Sequence, residues 1–559
     1  MLKIKECEEV LLKKKDNVWF AIFVNFFVLL ILIVLFQPIY ETNDDMAMSN
    51  IVDGSWGKYS PNLVFESRFI GFILSWLYQT FNVVPWYAVL QYVVLFGSFV
   101  AITNVVLHKI DSIYQMLACL AFLFVFAFES FIRIQFTKTA AVATAAGVLI
   151  LLGYLSEQYK SKLKLVLGYF LAFIGSMYRI EQFFLEIFLL SGIGVIILFS
   201  GQGKERIKII GKALILFFTL LVIVIGGYLL DRSGYKDGEW KTYMKYNSVR
   251  CELYDYVFPS YSQFKDEYQR MNIDENTFWF YRLWNHFDDE KFSVDMMEKL
   301  ISMREKSVSD RNLLADFFKT VPKGILHIPC FYVVISVFVF WLFSGGHRKA
   351  DYLGIIYEIL IVGMVYFYLY YQGRYLKNRV DVGIWLAFAL IMLWGHWEKR
   401  KRIRRVGAIL AIGCFFVGVS VYKPAFRFNA QSGGDATLQY RQMLTETFSN
   451  KEHLYLNKVF AVDVRHLYGP FERIPEGTFE NVVSLGGWTV KMPMQNELLR
   501  KYDIKNPLRD IVDREDVFIV DTNINLTLSY IRKWYCKEAE AKLIKTIGSY
   551  GVYQIQKMQ

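Results

Sequence analysis

Eleven stretches of this sequence, near residues 18–39, 84–107, 112–131, 137–155, 163–178, 182–200, 212–230, 326–344, 352–371, 380–396 and 405–422, are apolar over the length of a membrane-crossing helix. Such a helix needs roughly 17 to 25 residues. Across 559 residues, 54% are hydrophobic and 17% aromatic, which argues against a soluble globule. The net charge of +11 then has to be read by position, because short cytoplasmic loops of membrane proteins collect Lys and Arg.

A twelfth apolar stretch, "RFIGFILSWLYQTFNVV" at 68–84, is short and interrupted by Arg68, Gln79 and Asn82. With eleven spans and a cytoplasmic N-terminus, the inner segments are "MLKIKECEEVLLKKKDN", "HKID", "SEQYKSKLK", "GQGKERIKIIGK", "SGGHRKAD" and "EKRKRIRR", all net basic or neutral. Counting 68–84 as a span would put the later basic loops outside, so it reads as a re-entrant or interfacial helix. The first apolar run has no small-residue cleavage pattern and reads as a retained span.

This alternation divides the chain into a basic cytoplasmic N-terminus (1–17) and a membrane region (18–230) with an acidic outer loop (40–67) and a juxtamembrane helix (68–83). An extracytoplasmic loop (231–325), a second membrane region (326–422) and an extracytoplasmic C-terminal domain (423–559) follow. In the last, "LYLNKVFAVD" and "DVFIVDTN" predict buried strands, "TLSYIRKWYCKEAEAKLIKTIG" an amphipathic helix and "YGVYQIQKM" a closing strand. A small α/β domain is the expectation. Six scattered cysteines give neither a metal spacing nor a disulfide framework.

Candidate chemistry starts at the first outer boundary, where "ETNDD" gathers Glu41, Asp44 and Asp45. A carboxylate there can act as a general base toward a hydroxyl or ligate a hard divalent cation. The same residues also suit a helix start, with Thr42, Asn43 or Asp44 as cap. The second group is cationic: Arg133 and Lys138, then Arg179 beside Glu181, then Arg374, Lys377 and Arg379. All lie in outer loops, where such residues should be scarce, and Arg forks suit phosphate. In the long outer loop Tyr243, Asn247, Arg250 and Tyr254 recur at helical spacing, as either a sugar site or a packing stripe. There is no Gly-rich Walker loop, HExxH, GxSxG or Cys/His cluster. A histidine base on the outer face would be His286, His327, His453 or His466. Charged residues cluster at span boundaries, leaving the expected mid-membrane path poor in polar groups.

An outward first span, an acidic first outer loop ("ETNDD"), a juxtamembrane helix (68–84), many spans and an outer C-terminal domain together resemble the C-type glycosyltransferase superfamily. No WWDYG-like motif is present, which sets the oligosaccharyltransferase branch apart. The resemblance implies transfer of a sugar from a polyprenyl-phosphate or diphosphate carrier to a surface glycan on the outer face of a bacterial plasma membrane. It assigns Asp44 or Asp45 as base or metal ligand, and Arg374 or Arg379 as a contact to the carrier phosphate. A cation, if used, would be Mg²⁺ or Mn²⁺ rather than Zn²⁺. The expected partners are the lipid-linked donor, the glycan acceptor and membrane lipids, with no nucleic acid. The alternatives are a flippase or transporter of a lipid-linked glycan, a polysaccharide polymerase or ligase, and a non-catalytic assembly component.

Overall fold

A computed structural model describes residues 17–110, 113–158, 160–308, 313–344, 347–374, 376–395, 413, 416, 435–458 and 468–558. Among the described residues six helices are long and apolar enough to cross a membrane: Val18–Leu35, Trp86–His108, Phe136–Leu155, Ile180–Ser200, Lys204–Ser233 and Lys349–Tyr371. Four further expected spans form helices at Ile113–Phe131, Lys162–Tyr178, Pro329–Ser344 and Asn378–Trp394. Pro329–Val339 is bent by 87° against Leu313–Ile325, so the apolar run near 326 starts at a sharp corner rather than in a straight rod. Nearly all of the expected span at 405–422 lies outside the described residues.

The Phe136–Leu155 helix is the hub, buried from Phe136 to Leu151. Its small side chains decide this position. A Cβ added to Gly147 would sit 2.4 Å from the backbone N of Ala172, and one added to Gly175 would sit 2.2 Å from Thr144 Oγ1. The backbones of Phe136–Leu155 and Lys162–Tyr178 therefore touch, the close approach that small residues permit where lipid gives no hydrophobic drive.

Arg68–Thr80 is a 13-residue helix whose two ends stay at one end of the bundle. At its start, the Ser67 N–H donates to the Met177 carbonyl at 2.8 Å; at its end, the Tyr78 hydroxyl accepts from the Tyr87 N–H at 3.0 Å. Ile70, Leu74 and Tyr78 are buried, while Phe69, Phe72, Ile73 and Trp76 are exposed. At 13 residues it is shorter than the roughly 17 to 25 that a membrane-crossing helix needs.

At the same end, Ile39–Tyr40 pairs in parallel with Arg133–Ile134. Two residues suffice to hold the segment after the first helix against the turn before the hub. The helices of 231–325 and the C-terminal domain also gather here: Phe479 N–H donates to the Ser55 carbonyl at 2.7 Å and Tyr243 Oη to the Trp488 carbonyl at 2.7 Å.

The C-terminal sheet has five strands ordered Val482–Ser484, Leu454–Lys458, Val517–Asp521, Tyr550–Lys557 and Ala539–Ile547. The first three are mutually parallel and the last two antiparallel. The helix expected over 527–548 is corrected. It spans Ile524–Trp534 only, and its second half is a strand that hairpins through Gly548, at φ 58°, onto the closing strand. Charged residues suit that strand because it forms the sheet edge, with Lys542 to Ile544 exposed.

Candidate functional site

The strand pair brings the acidic loop onto the hub and separates its carboxylates. Glu41 pairs with Lys138, and both of its oxygens accept from Asn378 Nδ2 at 3.2 Å. Lys138 Nζ also lies 2.6 Å from Glu129 Oε2, which accepts from Asn378 at 3.0 Å. Arg133 adds a longer contact to Glu129 at 3.6 Å. Lys138, Glu129 and Glu41 are all buried. This knot is closed: one ammonium is shared by two carboxylates, and an amide bridges them.

Asp45 opens the Asn43–Val52 helix but faces inward, fully buried. Its Oδ1 accepts from Phe136 N–H at 3.0 Å, Tyr87 Oη at 3.1 Å and Gln91 Nε2 at 3.2 Å, and its Oδ2 from Thr42 Oγ1 at 3.3 Å. Thr42 makes no side-chain cap to the helix it precedes. Burial pushes the Asp45 carboxyl up to about 7, against the downward pull of these donors. Tyr87 Oη is also 2.6 Å from Glu66 Oε1. A phenol has one proton, so when it donates to one carboxylate it is open to accept from the other, and Asp45, Tyr87 and Glu66 form a chain. Burial raises the Glu66 carboxyl well above the usual range, and its Oε2 has no partner among the described residues.

Asp44, one residue earlier, is half-buried, and its carboxylate has no hydrogen bond among the described residues. Burial raises its carboxyl, while the guanidinium groups of Arg379, Arg179 and Arg250 draw it down. It shares this field with a cavity of about 400 Å³ between the ends of the helices and the loop 231–325. Glu66, Arg179, Glu181, Asp231, Arg232, Asn247, Asp255 and Arg374 are in its wall. Arg179 contacts Thr137 Oγ1 at 3.3 Å and Glu181 at 3.6 Å, and Arg374 lies 3.6 Å from Asp255. The Nε of Arg232 is buried without a partner among the described residues.

Arg250 lies behind Asn247. It is 2% exposed, donates to Asn247 Oδ1 at 2.9 Å and to Cys251 Sγ at 2.7 Å, and faces the Trp284 ring at 5.7 Å. Among the described residues it forms no ion pair, an uncommon state for a buried guanidinium. Tyr243, Asn247, Arg250 and Tyr254 are all buried on one side of the Gly238–Tyr254 helix, so the stripe packs and also presents Asn247 to the cavity.

The expected residues therefore sort three ways. Arg179, Asn247 and Arg374 meet at the cavity, with Arg250 behind Asn247 and Asp44 and Arg379 in its field. Glu41 and Arg133 belong to the closed knot, and Asp45 to a separate hydrogen-bonded pocket. Lys377 is exposed and outside the cavity wall. His286 is buried against Tyr246 and held well below the usual imidazole range by burial and by Arg250. Among the described residues no group of three or more His, Cys, Asp and Glu side chains converges on a metal position. Glu66, Tyr87 and Arg232 went unrecognised in the sequence. An isolated carboxylate such as Glu66 carries no local signal when its partners are 21 and more residues away.

Compared with family models, curated proteins and solved structures, the chain matches none.

Proposed function

We propose that the chain is a membrane glycosyltransferase that takes a sugar from a polyprenyl-phosphate or diphosphate carrier at the cavity and passes it to a surface-glycan hydroxyl. The observation that carries this reading is the buried Arg250, without a carboxylate partner among the described residues, beside a wall holding Arg179, Arg232 and Arg374. Guanidinium groups at such a wall suit an anion with several oxygens, and a carrier phosphate is one. They stabilise the charge that grows on the phosphate as the sugar leaves. Asp44 takes the proton of the acceptor hydroxyl, since burial keeps its carboxyl a better base than a free one. Asp45 positions the helix that carries Asp44. A single displacement inverts the anomeric carbon. In this reading eleven spans, counting the stretch at 405–422, put the N-terminus in the cytoplasm and the cavity and C-terminal domain outside the plasma membrane.

The test is the surface-glycan profile of cells carrying Asp44→Asn or Arg374→Ala, with membrane levels measured in parallel. Loss of one glycan substituent at normal protein level supports the reading. An unchanged profile in both, when deletion of the whole chain alters it, overturns it.

A second reading, a transporter of a lipid-linked glycan, is favoured by one observation against the sequence expectation. Charges do not all sit at boundaries: Glu186 and Glu358 are buried within spans. A transporter without transferase activity would move the intact lipid-linked glycan in vesicles and release no free carrier.

A further inference from the structure

Inside the bundle the helices Ile180–Ser200, Lys349–Tyr371 and Asn378–Trp394 pack together and bury carboxyl groups that no site above uses. Glu186 is 0% and Glu358 1% exposed. Gln182 Nε2 donates to Glu186 Oε1 at 2.9 Å, and Glu186 Oε2 has no partner among the described residues. Neither oxygen of Glu358 has one. A Cβ added to Gly383 would lie 2.2 Å from Glu186 Oε1, and one added to Gly192 would lie 3.2 Å from Glu358 Oε2, so glycines leave the space that both carboxyls fill.

Helical rise places Glu186 roughly 9 Å and the Gly192 level roughly 18 Å from the start of Ile180–Ser200. Asp381, which accepts from Tyr366 Oη at 2.9 Å, is above them near the cavity end, and Asp351 is below at the other. Both are buried. The other charged groups on the helices packed against Ile180–Ser200 are near helix ends. They are Lys138; Lys162 and Lys164; Lys204 to Lys212; Asp231 and Arg232; Lys349; and Arg379, with Glu181 on the helix itself. No cation among them pairs with Glu186 or Glu358.

We propose that Glu186 and Glu358 are intramembrane proton-binding sites, the middle of a line of buried acids from Asp381 to Asp351 along which protons exchange with water. An ionised carboxylate with no partner in apolar packing is costly, and a span that keeps two such groups carries them for a use. A proton fits where a hard metal ion does not, because that ion needs about six oxygens and Glu358 has no polar partner among the described residues. Neither residue touches the arginine-lined cavity, so the inference stands apart from glycosyl transfer.

The experiment is infrared spectroscopy of the full-length protein in lipid, following the C=O stretch of protonated carboxyl groups on transfer from H₂O to D₂O. Bands that move to lower frequency on exchange, one lost in Glu358→Gln and another in Glu186→Gln, are the expected result. Absence of such bands, or bands unmoved by prolonged D₂O exposure, overturns the proposal. Glutamine matches the shape of the protonated acid, so both variants should accumulate. If Glu358→Gln does not, exchange in the wild-type protein and in Glu186→Gln still decides.

Discussion

Asp44 and Asp45 are neighbours on one helix, yet they belong to regions built on opposite plans. Around Asp45 and the Glu41–Glu129–Lys138 knot most polar atoms are hydrogen-bonded at 2.6 to 3.3 Å, Glu66 Oε2 and Glu129 Oε1 being exceptions among the described residues. Around Asp44 the charges are many but loosely met: the Asp44 carboxylate has no hydrogen bond among the described residues, and the Arg179–Glu181 and Arg374–Asp255 contacts are 3.6 Å long. A satisfied network holds a shape, whereas open groups at a cavity remain free for a ligand. Position next to the membrane, which first singled out all three acids, does not separate these roles; their partners do.

The contrast can be tested from its open side first. Asp44→Asn should lower glycosyl transfer by roughly 10² to 10⁴-fold with normal protein level, the range a positioned general base supplies. A similar loss caused by failure to accumulate would move Asp44 into the structural group. From the closed side, Lys138→Met leaves two buried carboxylates without their shared cation and should cost about 3–5 kcal/mol. This is read as loss of folded protein in membranes, and Glu41→Gln with Glu129→Gln in the same chain should restore much of it.

A middle-sized effect belongs to Asp45. Its carboxyl is near 7 in the folded protein against about 3.8 unfolded, so the folded state binds more protons between those values. Stability should therefore fall as pH rises from about 4 to about 7 and level off above, measured as thermal midpoint in detergent. Asp45→Asn keeps an acceptor for Tyr87, Gln91 and Phe136 and should flatten that slope. The smallest effect is expected at Lys377→Ala, exposed and outside the cavity wall, with both transfer and stability within twofold of wild type.

Much of the helical frame was legible because the apolar runs are about as long as the helices they form. The short Arg68–Thr80 helix was legible as an apolar run too short and too interrupted for a full span. The edge strand Ala539–Ile547 was missed because its alternating Glu, Lys and Ala also fit a solvated helix, and only pairing with Tyr550–Lys557 settles it. Of the site, the arginines were visible as exceptions to the charge rule. What was hidden is long-range: Arg232 meets Arg374 across a cavity, and Asn378 reaches Glu41 from 337 residues away. Glu186 and Glu358 could have been found, since a single carboxylate within an apolar run is already a signal.

The two-residue pairing of Ile39–Tyr40 with Arg133–Ile134 also sets a schedule for synthesis. Asp45 waits for Phe136, 91 residues later, and Glu41 for Asn378, 337 residues later. At about 5–20 residues per second these delays are roughly 5–18 s and 17–67 s. The nascent first loop thus carries unmatched acids past several rounds of helix insertion, and the pocket around Asp45 closes well before the amide that completes the knot has left the ribosome.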